Sequence, residues 1–165
     1  MYTTQPLGQE HSLEDFDCGK DELSAWLKQF ASHAQAMKTA RTFAWTREHD
    51  TNVLAYYSIA GHAIERAQVP PKIGRDSPEQ VPAVILARLA LDRRLQGQGL
   101  GSRLLVDALD RMVRASKEVV FRLVVVDAVD EEAAHLYEKY GFRRFPGETK
   151  LFRKLSDIER DLTDL

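Results

Sequence analysis

The chain has 165 residues, 44% hydrophobic and 29% charged, with 23 Lys and Arg against 25 Asp and Glu for a formal net charge of −2. That size and balance suit one globular domain over residues 1–165 and leave no room for a second full domain, and a polyanion would have to be met by a local basic patch. No stretch approaches about 18 uninterrupted apolar residues, the N-terminus lacks the basic-then-apolar pattern of a leader, and the lone Cys18 excludes an internal disulfide; the expectation is a cytoplasmic protein without a membrane segment.

In chain order, "DELSAWLKQFASHAQAM" places Leu23, Trp26, Leu27, Phe30 and Ala34 at helical spacing after a Cys-Gly turn, which predicts one amphipathic helix. The β-rich runs "RTFAWT" and "NVLAYYSIAGHAI" flank Asp50-Thr51-Asn52 and predict a hairpin. Arg66 to Ala83 holds four of the six prolines and reads as one long loop. Then follow a central strand in "AVILARLAL", a helix in "GSRLLVDALDRMVRAS", a buried strand in "VVFRLVVVDA" and a helix in "DEEAAHLYEKYG". A hairpin from "FRRF" and "TKLFRKL" around Pro146-Gly147, and a short helix in "SDIERDL", close the chain. The order predicts an α/β fold of the α+β kind, a mixed sheet flanked by helices.

Glycines at 97, 99 and 101 stand between the central strand and the helix whose inner face would carry Leu100, Leu104, Ala108 and Met112. Backbone N–H groups freed there can point at an anion that also feels the helix N-terminus, so the ligand should carry phosphate. A P-loop would need Gly-Lys-Ser/Thr, and the dinucleotide fingerprint fails because Ser102 occupies its third glycine position. A plain strand-to-helix turn is the structural alternative.

The spacing Gln96-Gly97-Gln98-Gly99-Leu100-Gly101 resembles the Q/R-x-x-G-x-G/A signature of the GNAT family of acetyl-CoA-dependent N-acetyltransferases. Asp130-x-x-Ala133-x-x-x-Tyr137-x-x-x-Gly141-Phe142 is similar to the family's second motif, with Asp where Asn is commoner. The resemblance covers nearly the whole chain. It implies a mostly antiparallel sheet splayed at the acetyl-CoA site, with the strand at Leu89, Ala90 and Leu91 offering backbone groups to the pantetheine. It further implies that the Gln96 to Ser102 loop (Gln96, Gly97, Gln98, Gly99, Leu100, Gly101, Ser102) holds the pyrophosphate, that Asp130 and Ala133 belong to the cofactor-binding motif, and that Tyr137 is the general acid. An extended amide-rich arm suits an exposed strand edge on its own chemistry. A phenol of ordinary pKa about 10 stays protonated at neutral pH and can donate to a departing thiolate, although a packed aromatic at Tyr137 satisfies the same pattern.

No carboxylate stands on the central strand before Asp92. A lysine ε-amine, pKa about 10.4, wants a base at pH 7, whereas an α-amine near 7.7 to 8.0 is already partly neutral. The missing base therefore fits a low-pKa amine. The opening "FDCGKDELSAWLKQFA", with "LARLALDRRLQGQGLG" and "AHLYEKYGF", resembles the GNAT toxins that acetylate aminoacyl-tRNA and block translation. This implies charged tRNA as substrate, a small ribbon-helix-helix antitoxin as partner and room for a homodimer. Candidate RNA contacts are Arg88, Arg93, Lys28, Lys38 and Arg41, with Lys20, Arg143, Arg144, Lys150 and Arg153 as further cations that solvent or a carboxylate could equally occupy, while Arg93 and Arg94 beside the loop could meet further phosphate charge of the cofactor. The five histidines form no metal-ligand spacing, so no metal is expected. Acetylation of a small amine or protein N-terminus, and a non-catalytic acetyl-CoA-binding module, remain the alternatives.

Overall fold

The computed structural model describes residues 1–164. Its strands are β1 (Tyr2–Pro6), β2 (Arg41–Arg47), β3 (Ala55–Glu65), β4 (Gln80–Leu91), β5 (Leu123–Asp127), β6 (Arg143–Arg144) and β7 (Lys150–Lys154). Its helices are α1 (Asp21–Gln29), α2 (Ala31–Ala36), α3 (Pro71–Gly74), α4 (Leu100–Ala115), α5 (Glu131–Lys139) and α6 (Leu155–Thr163). The strands form one sheet in the order β1-β2-β3-β4-β5-β7-β6, in which β4 and β5 run parallel and the β1/β2, β2/β3, β5/β7 and β7/β6 pairs antiparallel. This is the mixed, mostly antiparallel α/β sheet with helices that the sequence predicts. By compactness the chain divides into a unit of Met1–Ala60 with Arg88–Val106 and a unit of Gly61–Ala87 with Asp107 onward.

In the first unit, Leu7, Phe16, Cys18, Leu23, Leu27, Ala31, Val53, Tyr56 and Ala90 make a continuous buried cluster, with Trp26 packed on it. The Tyr56 hydroxyl donates to the Leu23 carbonyl at 2.6 Å and so ties β3 to α1. The single helix expected over residues 21–37 is two. Phe30, at φ −123°, leaves helical geometry and is 53% exposed. The break lets α2 turn so that Gln35 donates to the Leu7 carbonyl and accepts from the Thr42 N–H. Strand β1, absent from the sequence expectation, is five residues at the sheet edge and ends in Pro6, a residue that edges tolerate.

In the second unit, the stretch between β3 and β4 is not one loop. It holds a 3₁₀ turn at Arg66–Gln68 and then α3, with Pro71 in the first helical turn where a missing N–H costs nothing, and β4 starts at Gln80. Strand β5 begins at Leu123 rather than Val119. The N–H groups of Ser116 to Val119 bond back to carbonyls of residues 112–115, so the chain is still unwinding from α4 there and Val120 is 84% exposed. The expected inner face of α4 is the buried one, with Leu100, Leu104, Ala108 and Met112 joined by Leu105 and Leu109.

Tyr56→Phe should cost about 1 kcal/mol, because it removes one buried hydrogen bond and nothing of the ring. Urea unfolding measures this, and an unchanged midpoint would remove the bond from the account of how α1 is held.

Candidate active site

The β4/β5 ladder runs from Ala83↔Leu123 to Leu86↔Val126, while β4 continues to Leu91. Beyond Leu86, among the described residues, β4 spends no register position on that ladder. Leu89 and Leu91 are half-buried and Ala90 is buried in the first unit's core, so the strand is fixed by its side chains and leaves backbone amides on an open side.

The strand then turns at Asp92, whose carboxylate is only 2% exposed. It accepts from the backbone N–H of Arg94 at 3.0 Å, from that of Asp17 at 3.1 Å, and from Arg94 Nε and Nη2 at 2.7 and 3.1 Å. Burial alone would raise its pKa; the hydrogen bonds from Arg94 and Asp17 outweigh it and hold the carboxyl below the usual range. Gln96 Nε2 donates to the carbonyls of Cys18 and Leu91 at 2.8 and 2.9 Å, and the Arg93 N–H donates to the Asp17 carbonyl at 2.8 Å. The turn at Cys18-Gly19 that the sequence predicts, together with Asp17, is therefore a brace for this corner. Asp92 was not singled out in the sequence; its signal is an Asp between the last strand residue and a short turn, where a side-chain acceptor caps freed amides.

Beyond the corner, Gly97 and Gly99 have φ of +78° and +77°, and among the described residues nothing lies within 4 Å of where a Cβ would stand on either. Gln98 donates to the Arg94 carbonyl at 3.2 Å, and α4 begins at Leu100, so Leu100, Gly101 and Ser102 occupy its first turn, where N–H groups have no helical acceptor. An exposed glycine-rich loop that runs into a helix N-terminus is a fit for a pyrophosphate. Leu89 to Leu91 and Gln96 to Ser102 thus come together in one unit.

Asp130, Ala133 and Tyr137 share α5 in the other unit. The Asp130 carboxylate caps that helix by accepting the Ala133 N–H at 2.9 Å. Tyr137 is 2% exposed and packs on Phe142, 6.1 Å between ring centroids. Burial, with the carboxylates of Asp127 and Asp130, pushes its phenol well above its usual pKa. It is therefore an acid and not a base at neutral pH.

The cations differ in how engaged they are. Arg88 lies with its guanidinium 3.9 Å from the centre of the Trp26 ring, and Arg93 pairs with Asp17 at 3.3 Å with both side chains largely exposed. Arg94 is committed to Asp92, Arg144 to Glu131 and Glu138, and Arg153 to Asp161. Lys28, Lys38 and Arg41 are exposed on α1, after α2 and at the start of β2. Among the described residues no cluster of His, Cys, Asp and Glu is arranged to hold a metal ion, and no helix is long and apolar enough to cross a membrane.

Residues 40–144 match the acetyltransferase (GNAT) domain. The chain belongs to the GNAT acetyltransferases. Acetyl-CoA is accordingly its cosubstrate. A tRNA-acetylating toxin of Mycobacterium tuberculosis is 34% identical over 140 residues, 85% of this chain and 83% of that protein. AtaT complexed with acetyl-methionyl-tRNAfMet superposes with a TM-score of 0.89 at 31% identity, covering 98% of this chain and 99% of AtaT. A tyrosine-to-phenylalanine mutant of AtaT, bound to the C-terminus of the antitoxin AtaR and to acetyl-CoA, gives 0.85 at 31% identity over 99% of each chain.

Gly99→Asp should abolish acetyl-CoA binding, since it forces a side chain into a positive-φ position and sets a carboxylate where pyrophosphate would lie. Calorimetry on the folded variant checks this; unchanged affinity would remove the loop from the binding site.

Proposed function

We propose that this chain is an acetyl-CoA-dependent toxin, one catalytic domain over residues 1–165, that acetylates the α-amine of aminoacyl-tRNA and so blocks translation. The observation that carries it is the chain-long likeness to AtaT, a protein solved with acetyl-methionyl-tRNAfMet. The first unit's geometry supports the donor half of the reading. The open edge at Leu89, Ala90 and Leu91 takes the amides of the pantetheine, and the loop from Gln96 to Ser102 takes the pyrophosphate. The reading also assigns Asp130 and Ala133, which set the start of α5, to the cofactor-binding motif.

The transfer is direct. The α-amine attacks the thioester carbonyl carbon, a C–N bond forms, the C–S bond breaks, and the sulfur takes the Tyr137 hydroxyl proton as negative charge builds on it. β4 carries no carboxylate along Gln80–Leu91 to take the amine's proton, so that proton goes to water, and water returns one to Tyr137 to close the cycle. That absence favours an α-amine esterified at its carboxyl over a lysine side chain. With a net charge of −2, the tRNA has to be held locally, and Arg88, Arg93, Lys28, Lys38 and Arg41 are the cations placed to do it. The reading includes a small ribbon-helix-helix antitoxin as partner, a homodimer as the assembly and the cytoplasm as the place of action.

Tyr137→Phe keeps the ring and should leave acetyl-CoA binding intact while turnover falls by about 10² to 10⁴. Because the phenol titrates well above its ordinary value, the wild-type kcat should show no alkaline fall from this group below about pH 10. Near-normal turnover of the variant with chemistry rate-limiting would demote Tyr137 to packing.

Incubation with acetyl-CoA and a pool of charged tRNAs should yield N-acetylated aminoacyl-adenosine after nuclease digestion, in an amount that drops steeply as salt rises. No product at low salt, from a preparation that briskly acetylates a polyamine or a free amino acid, would hand the assignment to the small-amine alternative. Acetyl-CoA binding without transfer to any amine would mark a regulatory module.

A further inference from the structure

The loop from Gln96 to Gln98 and Gly99 is exposed, and two of its residues are glycines at positive φ with nothing packed on them among the described residues. Left to itself such a segment samples many shapes, and each ligand bond it makes has to order it first. Its order has to come from where it is fastened. The Gln98 amide is fastened to the Arg94 carbonyl, and the Gln96 N–H to the Arg93 carbonyl at 3.2 Å. Both carbonyls belong to the short turn at Arg93–Leu95. That turn is in turn held by one carboxylate, which takes the Arg94 N–H and both arms of its guanidinium, and reaches across to the Asp17 N–H of the brace.

We propose that Asp92 is a positioning residue for the donor: its buried carboxylate fixes the corner between β4 and α4 so that the amides of Gly97 to Ser102 are already aimed at the pyrophosphate of acetyl-CoA. It touches no part of the donor; it acts through Arg94 and, by way of Asp17, through the turn that also receives Gln96. A carboxylate suits the task where a neutral side chain does not. Four donors converge on its two oxygens, and a carboxylate has acceptor capacity for all of them while an amide presents donors of its own. The inference rests on the reading that this loop binds the phosphates of acetyl-CoA.

The test compares two acetyl donors with one amine that the wild type acetylates. Acetyl-CoA carries the pyrophosphate; S-acetyl-pantetheine carries the same thioester and amides and no phosphate. The wild type should prefer acetyl-CoA in kcat/KM. In Asp92→Asn, which keeps one acceptor, that preference should shrink about tenfold, as expected for weakened charge-assisted hydrogen bonds, with the change in KM rather than kcat and with S-acetyl-pantetheine turned over as before. Asp92→Ala should shrink it further. An equal loss for both donors, which is what general damage to the fold would give, overturns the proposal, as does an unchanged preference in folded variants or the failure of both variants to fold. A wild type that treats the two donors alike would instead refute the phosphate-binding reading of the loop, and this inference with it.

Discussion

A backbone that is to bind a ligand through its own amides cannot also spend them on a neighbouring strand. Everything in the candidate site follows from how this chain meets that constraint. Strand β4 leaves its ladder with β5 after Leu86, and a strand released from a partner would ordinarily fray or recruit another edge. Here the strand keeps β3 as its hydrogen-bonded neighbour on the other side, and side chains anchor the released segment further, Ala90 in the core and Arg88 stacked on Trp26. The corner at Asp92 then leads, through the short turn at Arg93–Leu95, into a segment that offers amides and little else.

The parts of this arrangement that depend on periodicity were legible in the sequence. The apolar run of β4 and the stripe of α4 are largely buried, and burial leaves a pattern. Where a polar side chain decides the path, the pattern is silent. The break at Phe30 answers to Gln35 bonding both Leu7 and Thr42, partners far outside any helical window. Val119 and Val120 look like strand and are exposed, because β propensity is outweighed by the unwinding end of α4. Asp92 escaped notice for the same reason: its four donors come from Arg94 and from a residue 75 positions away, and nothing local announces the second.

The candidate RNA contacts show how a near-neutral chain can carry basic residues without a basic surface. Arg94, Arg144 and Arg153 each answer to a carboxylate of this chain, so their charges serve its internal geometry first. The Arg144 pairs with Glu131 and Glu138 are exposed, and pairs of that type contribute little to stability, whereas the Asp92 carboxylate that holds Arg94 is buried. Lys28, Lys38 and Arg41 sit on the stretch from α1 to β2, outside the two acetyl-CoA motifs of the sequence.

Gly141 stands at φ +88°, and a Cβ there would press to 2.8 Å on the guanidinium of Arg153, which is itself pinned to the Tyr140 carbonyl and to Asp161. Its neighbour Phe142 is buried against Tyr137. The two residues that close the second motif are thus demanded by architecture, whatever chemistry α5 performs. In a lineage that lost its activity, selection for a folded product would go on preserving this Gly-Phe pair long after the tyrosine hydroxyl had drifted away. Motif scores summed over all positions would rate such a relic almost as highly as a working enzyme.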